Sequence, residues 1–160
     1  MRSLAATMTI FALCAAAAAD EWTYRPVPFD TQTSGHNAFQ YDRGRTEILG
    51  FECDDLWGYG TVYIRTSETH EAGQPDAPDV IVGFSVDGRT FEALGRWEGR
   101  RGRMFVIFDG LDDPGTVRHI LERLSGARET IQLSFADRSL DFPAAGFDTA
   151  FAAASGACGW

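Results

Sequence analysis

The sequence predicts a mainly β domain with two helices, built as a β-sandwich or a strongly bent antiparallel sheet of the α+β class. Three observations support this prediction. Short segments in which apolar and polar residues alternate recur along the chain, separated by turn residues. The dipeptide Asp87-Gly88 stands between two such segments, which is a strong hairpin signal. Two later segments, beginning near Pro114 and Phe147, place apolar residues at helical spacing.

The first strand candidates surround an early cysteine. The stretch EWTYRPVPFD contains two prolines and is expected to be extended, and TSGHN is expected to be a loop before the short strand FQYD. In TEILGFEC, Leu49, Phe51 and Cys53 alternate onto one face, which directs the sulfur toward the core. In YGTVYIRT, Val62 and Ile64 share a face in the same way. The polar segment SETHEAGQPDAP is then expected to form the longest loop.

A hairpin and a second turn follow. Apolar residues alternate from Val80 to Val86, and the return strand after Asp87-Gly88 is expected to run from about Thr90 to Trp97. EGRRGR is expected to be a turn that leads into the strand MFVIFDG.

The segment DDPGTVRHILERLSG predicts a helix with recognisable ends. Asp113 is a suitable N-cap, Pro114 suits the first helical position and Gly126 suits the C-terminal stop. The expected buried stripe consists of Val117, Ile120, Leu121 and Leu124. The segments ETIQLSF and SLDFPA then predict another hairpin.

The last element, FDTAFAAASGACGW, predicts a terminal helix. Phe147, Phe151, Ala154 and Cys158 recur at spacings of four, three and four, so they are expected to share one face. This helix is too short and too rich in Ala and Gly to be stable alone.

The N-terminus predicts a cleaved signal peptide. Arg2 precedes an apolar run of about 13 residues, and Ala17-Ala18-Ala19 before Asp20 fits the small-x-small pattern of a signal-peptide cleavage site. Cys14 follows Leu13 rather than a small residue, so lipidation is not expected. The expected organisation is a signal peptide over residues 1–19 and one exported β-rich domain over residues 20–160, periplasmic or secreted.

The net charge limits the classes of partner that this domain is expected to bind. Without Arg2, 13 arginines stand against 23 acidic residues, which gives a formal net charge of −10. An acidic surface argues against nucleic acid and anionic lipid as partners. No further segment is long and apolar enough to span a membrane, and oligomeric state is left open.

The two cysteines outside the signal peptide predict a disulfide. An isolated pair in an oxidising compartment is most simply bonded, and a metal site would need histidines or more cysteines nearby, which are absent. A bond between Cys53 and Cys158 would close a loop of about 100 residues and pin the last helix onto the sheet.

Three segments together carry a family resemblance. FECDDLWGYGTVYIRT, GRWEG followed by RMFVIFDG, and the ending from IQLSF to ACGW resemble the VasI-like periplasmic proteins associated with type VI secretion. The most specific element is the final ACGW after a short helix, paired with one earlier cysteine. The resemblance implies an exported accessory role and no particular reaction. The chain is also similar in size, export and β-rich character to exported proteins of the invasion-associated locus B type.

Candidate catalytic and metal-ligating residues are scattered. His36 and His70 are expected in polar loops and His119 on the exposed side of a helix, without a metal-binding or nucleophile motif. In DGLDDPG, Asp112 and Asp113 suit a helix N-terminus better than a calcium loop, and Asp109 completes that acidic run. The sequence therefore predicts no catalytic residue, no metal and no cofactor.

Two segments are candidate binding sites. Arg96, Arg100, Arg101 and Arg103 surround Trp97 in an otherwise acidic chain, and guanidinium groups beside an indole can hold a carboxylate or phosphate. A solvated hairpin turn explains the same residues more simply. Trp57 and Tyr59, in or near a Gly-rich loop, are interpreted as the edge of the core, with glycan or partner binding as the alternative.

These observations favour a non-enzymatic exported protein that binds another component of the cell envelope. Two alternatives stay open. One is an envelope-acting hydrolase, which needs a pocket where His, Ser or carboxylate groups meet. The other is an invasion- or stress-associated protein of the locus B type.

Overall fold

A computed structural model describes residues 21–28, 34–54, 59–71 and 78–159. The expected signal peptide and Trp57 lie outside the described residues. The described chain forms the strands β1 (Thr23–Pro28), β2 (Ser34–Tyr41), β3 (Ile48–Asp54), β4 (Gly60–Thr69), β5 (Val80–Val86), β6 (Arg89–Arg100), β7 (Arg103–Asp109), β8 (Thr130–Phe135) and β9 (Arg138–Pro143), and the helices α1 (Pro114–Leu124) and α2 (Phe147–Cys158). The predicted class, mainly β with two helices, is confirmed.

The strands form one strongly bent antiparallel sheet. Its order is β1-β2-β3-β4-β7-β6-β5-β8-β9. The bend brings the two ends of the sheet together. This closure is seen where the Trp22 indole, just before β1, donates a hydrogen bond to the carbonyl of Pro143 on β9 at 2.9 Å. Close by, the backbone N–H of Arg43 donates to the carbonyl of Asp141, also at 2.9 Å. The sheet thus encloses a core that a flat sheet would leave open.

A buried charge also holds the two ends of the sheet. The carboxylate of Glu47, just before β3, accepts hydrogen bonds from Arg138 of β9 and from the Ser67 hydroxyl, each at 2.9 Å. Arg138 also pairs with Glu68. Because Glu47 is buried, its charge needs these partners to offset the loss of hydration.

The main core lies between the inner face of the sheet and the two helices. The inner face carries the residues that alternation predicted to be buried, including Leu49, Phe51, Cys53, Val62 and Ile64. Helix α2 packs on β1, β2 and β3, while α1 packs on β4 and β7. Neither helix among the described residues has the length and apolarity of a membrane span.

Two tight turns shape the middle of the sheet. At Asp87-Gly88 both residues have positive φ, 48° and 80°, which suits a two-residue hairpin. The Asp87 carboxylate accepts hydrogen bonds from the backbone N–H groups of residues 128–130 at 2.7 to 3.2 Å. These bonds lower the pKa of Asp87, because they favour its ionised form. Arg101-Gly102 forms a similar turn, with φ of 51° and 74°.

The helices differ in how their ends are held. In α1 the Asp113 carboxylate accepts from the backbone N–H of Thr116 at 3.0 Å, Pro114 begins the helix, and the predicted stripe is buried. Helix α2 has no side-chain cap and begins after Gly146 at a φ of 79°. It is anchored by Phe147, whose ring meets Trp22 edge-on at 4.8 Å, and by the Cys53–Cys158 disulfide. The predicted disulfide is therefore confirmed.

Three sequence expectations about loops were wrong. TSGHN was expected to be a loop, but residues 34–37 belong to β2, and residues 35–37 are paired on both sides. Residues 67–69 of the predicted long loop continue β4, and residues 72–77 of it lie outside the described chain. The predicted turn EGRRGR is mostly strand, because β6 continues to Arg100 and only Arg101-Gly102 turns. Local polar composition misleads where a neighbouring strand supplies hydrogen bonds.

Candidate interaction surface

The face of the sheet away from the helices, here called the outer face, carries a second apolar cluster. Ile48, Tyr63 and Ile107 are buried there, with three partly buried aromatic residues packed around them: Phe39, Tyr41 and Phe105. Tyr63 lies across Gly50, where a Cβ would overlap its ring. Its hydroxyl group bonds the Asn37 amide at 2.9 Å. Burial raises the pKa of Tyr63, so the phenol stays protonated and can serve as a donor.

Charged side chains form a ladder along the outer face beside this cluster. Arg100 donates from Nη1 to Glu52 at 2.9 Å and also pairs with Glu98. Arg96 pairs with Asp112 at 3.0 Å, and more loosely with Glu98 at 3.5 Å. Asp109 lies 3.8 Å from the same guanidinium. The ladder therefore alternates in sign, with each of these two arginines held between carboxylates.

The Arg100–Glu52 ion pair crosses four strands of the outer face. Arg100 is on β6 and Glu52 is on β3, with β7 and β4 between them. In a flat sheet, three strand spacings would separate these strands by about 14 Å. The register adds further distance, because Glu52 aligns with Asp109 through Thr61, whereas Arg100 aligns with Arg103. Twist and bending must therefore bring the two side chains together along this diagonal.

Burial, hydrogen bonds and neighbouring charges shift the pKa values of the ladder residues. Desolvation raises the pKa of Glu52, although Arg100 opposes that rise. For Arg100, burial alone would lower the pKa, but the hydrogen bond to Glu98 and the charge of Glu52 raise it. The hydrogen bond to Asp112 raises the pKa of Arg96. Since the Arg96 side chain is 46% exposed, its ion pairs are worth about 1 kcal/mol or less and mainly hold the guanidinium in place.

An exposed apolar pair adjoins this ladder. Ile81 on β5 and Leu94 on β6 are direct cross-strand neighbours, and they are 60% and 61% exposed. Leu94 stands two residues before Arg96 on the same face. A cleft of about 200 Å³ opens beside it. Its lining includes Leu94, Arg96, Asp79, Asp109 and Asp112. The outer face thus combines exposed aliphatic surface with positioned guanidinium groups.

The residues predicted around Trp97 do not form one site. Arg96 and Arg100 lie on the outer face, but alternation places Trp97 on the inner face, with its ring 5.9 Å from that of Phe135. Arg101 is exposed at the turn, and Arg103 donates to the carbonyl of Ser67 at 2.8 Å. The structure therefore brings Arg96 and Arg100 together with acidic residues rather than with the indole.

The candidate catalytic residues lie in separate places. His36 Nδ1 is 2.8 Å from the Tyr24 hydroxyl, His70 packs over Gly99, and His119 meets the Phe91 ring edge-on at 5.3 Å. Tyr59 is half-buried. Within the described chain, no three His, Cys, Asp or Glu side chains are grouped so that they could hold a metal ion.

Of the acidic run predicted at a helix start, only Asp113 caps the helix. The pKa of Asp113 is lowered by hydrogen bonds from Thr116, and this carboxylate begins α1. Asp109 and Asp112 lie instead beside Arg96. These contacts account for all three carboxylates without a bound cation.

Comparison of the chain with family models, curated proteins and solved structures finds no match. The candidate surface therefore rests on its own geometry. Sequence reasoning missed four of its members: Glu52, Ile81, Leu94 and Glu98. A signal for Leu94 was available, because this leucine stands between Glu92 and Arg96 on the polar side of an alternating strand. Glu52 carried no such signal, since its partner is 48 residues away.

Proposed function

We propose that this chain is an exported accessory protein of the cell envelope that binds a protein partner through the outer face of its sheet. The observation that carries the proposal is the exposed Ile81–Leu94 pair beside the positioned guanidinium of Arg96. Exposed aliphatic side chains bordered by arginine and polar residues are typical of protein interfaces. The proposal includes no catalytic activity.

The cellular setting is part of the same proposal. The signal-peptide pattern and the Cys53–Cys158 disulfide support export to an oxidising compartment such as the periplasm. The resemblance to VasI-like proteins supports a role beside type VI secretion. The resemblance to the locus B type supports a role in host or stress interaction instead. The identity of the partner distinguishes these two roles.

Site-specific photocrosslinking in cells tests the surface. A photoreactive residue at Leu94 should yield one dominant crosslinked protein, whereas the same residue at Thr149, exposed on α2 on the other side of the sheet, should not. The captured protein is then purified and its affinity measured. We expect Leu94→Asp to weaken binding at least tenfold and Thr149→Asp to leave it unchanged, because only the first places a charge in the apolar part of the interface. Equal affinities for the two variants would refute the assignment of the surface.

Processing of the N-terminus tests export separately. Intact mass of the chain recovered from the periplasm or medium should correspond to a first residue at Asp20 and to one disulfide. Recovery of the full-length chain from the cytoplasm with two free thiols would exclude the proposed compartment.

A further inference from the structure

A second cleft lies away from the outer face, between the Asp87-Gly88 turn and the C-terminal end of α1. Its volume is about 420 Å³, within the range of small-molecule sites. Arg89 of β6, Arg123 of α1 and Arg128 before β8 all line it. Because Arg89 and Arg96 differ in parity on β6, this cleft opens on the opposite side of the strand from the charged ladder.

The three guanidinium groups differ from those of the ladder in their partners. None of them forms an ion pair within 4.0 Å in the described part of the chain, whereas Arg96 and Arg100 are bound by carboxylates. Two carboxylates also line the cleft. That of Asp87 is engaged by three backbone N–H groups, and Glu122 forms no ion pair among the described residues. The charged lining therefore has an excess of one positive charge in a strongly acidic protein.

An aromatic wall gives the cleft an apolar side. Phe91 lines the cleft and stacks on the buried Phe84 ring at 4.8 Å, nearly parallel at 7°. The Arg123 guanidinium lies over Phe91 at 6.0 Å from the ring centre, and Val86 also lines the cleft. A cation–π contact of this kind restrains a long side chain. The cleft thus offers both restrained positive charge and a fixed apolar surface.

We infer that this cleft binds a small organic anion that carries a phosphate or carboxylate group on an apolar body. Guanidinium groups recognise these planar or tetrahedral oxyanions through paired hydrogen bonds. The apolar body would lie against Phe91 and Val86. The end of α1 carries partial negative charge, which opposes an anion, so binding depends on the three arginines. This inference is independent of the proposed partner surface, since the two sites share no residue.

Calorimetric titration of the mature, disulfide-bonded protein tests the inference. The probes are phenyl phosphate, phenylacetate and inorganic phosphate. The first two differ in their anionic group, and inorganic phosphate lacks the apolar body. We expect saturable binding of phenyl phosphate or phenylacetate, weaker binding of inorganic phosphate, and loss of affinity as salt concentration rises. Inorganic phosphate binding as tightly as phenyl phosphate would refute the role of the aromatic wall.

Matched variants locate the binding. Arg89→Gln and Arg123→Gln should each weaken binding about tenfold, because each removes a charged hydrogen-bond donor. Arg123→Lys keeps the charge and should retain part of the affinity, and Arg118→Gln, at an exposed position of α1 that does not line the cleft, should change nothing. Thermal melting confirms that each variant is folded. Absence of saturable binding by the wild type, or equal binding by Arg89→Gln and Arg118→Gln, would overturn the inference.

Discussion

Loss of the Cys53–Cys158 disulfide should lower the free energy of unfolding by about 4 to 5 kcal/mol. The bond joins residues 105 positions apart, and closing a loop of about 100 residues removes unfolded-chain entropy worth about 4.7 kcal/mol. This is a large share of the 5 to 15 kcal/mol that domains usually have. Helix α2 depends on it most, because its 12 residues carry no side-chain cap at the N-terminus.

The perturbation is Cys158→Ser, compared with Cys53→Ser and with chemical reduction of the wild type. Urea unfolding, followed by far-UV circular dichroism, gives the free energy of each form. The control is Ala157→Ser, which adds a hydroxyl at the neighbouring exposed position of α2 without touching the bond. We expect both cysteine variants to match the reduced wild type and to be insensitive to reductant, while the control matches the oxidised wild type.

Either of two outcomes in urea unfolding would contradict the proposed stabilisation by the disulfide. If oxidised wild type and Cys158→Ser differed by less than about 1 kcal/mol, the bond would not constrain the unfolded chain as the loop model requires. If reduction further destabilised Cys158→Ser, the remaining thiol would be bonded to something else. Either outcome would mean that the stability of the domain does not depend on the Cys53–Cys158 disulfide as predicted.

Four further substitutions test packing and charge. Phe147→Ala should cost about 3 to 5 kcal/mol, because that ring is 2% exposed in the core, and urea unfolding measures it. Gly50→Ala should cost about 1 to 3 kcal/mol by the same assay, because its Cβ would overlap the Tyr63 ring. Gly156→Ala, in open space within α2, should instead stabilise by about 0.5 to 1 kcal/mol, and a cost there would contradict the helix. Since the pKa of Asp87 is lowered on folding, its ionised form stabilises the fold above about pH 3.9, and this contribution is lost as pH falls below that value. Asp87→Asn should therefore destabilise at pH 7 and have less effect at pH 2.5, and a pH-independent effect in melting experiments would contradict the charge argument.

Alternation and capping allowed most of the fold to be predicted. The buried positions Leu49, Phe51 and Cys53 follow from period two, and the start of α1 follows from Asp113 and Pro114. These signals are local, since each depends only on backbone geometry over a few residues. The prediction failed where composition was polar but strand partners were present, as in residues 34–37 of β2.

The candidate binding sites were predicted less well. The cluster at Arg96, Arg100, Arg101 and Arg103 was visible because these residues are close in sequence. The acidic partners of these arginines could not be predicted, because Asp112 lies 16 residues from Arg96 and Glu52 lies 48 residues from Arg100. Trp97 was grouped with them by proximity in sequence, although strand alternation turns its side chain to the core.

The sequence by itself determined the buried positions of the alternating strands, the N-cap of α1 and the pairing of Cys53 with Cys158. Periodicity and cap chemistry act locally, and two cysteines outside the expected signal peptide leave one pairing. Only the tertiary structure decided which arginines are neutralised and which converge at an open cleft. Arg89, Arg123 and Arg128 come from three different segments and line the same cleft. They meet there because β6 pairs with β5 and because the Asp87 carboxylate, in the turn between these strands, accepts a hydrogen bond from the backbone N–H of Arg128. That arrangement depends on strand pairing and on where α1 packs, and no local sequence pattern encodes it.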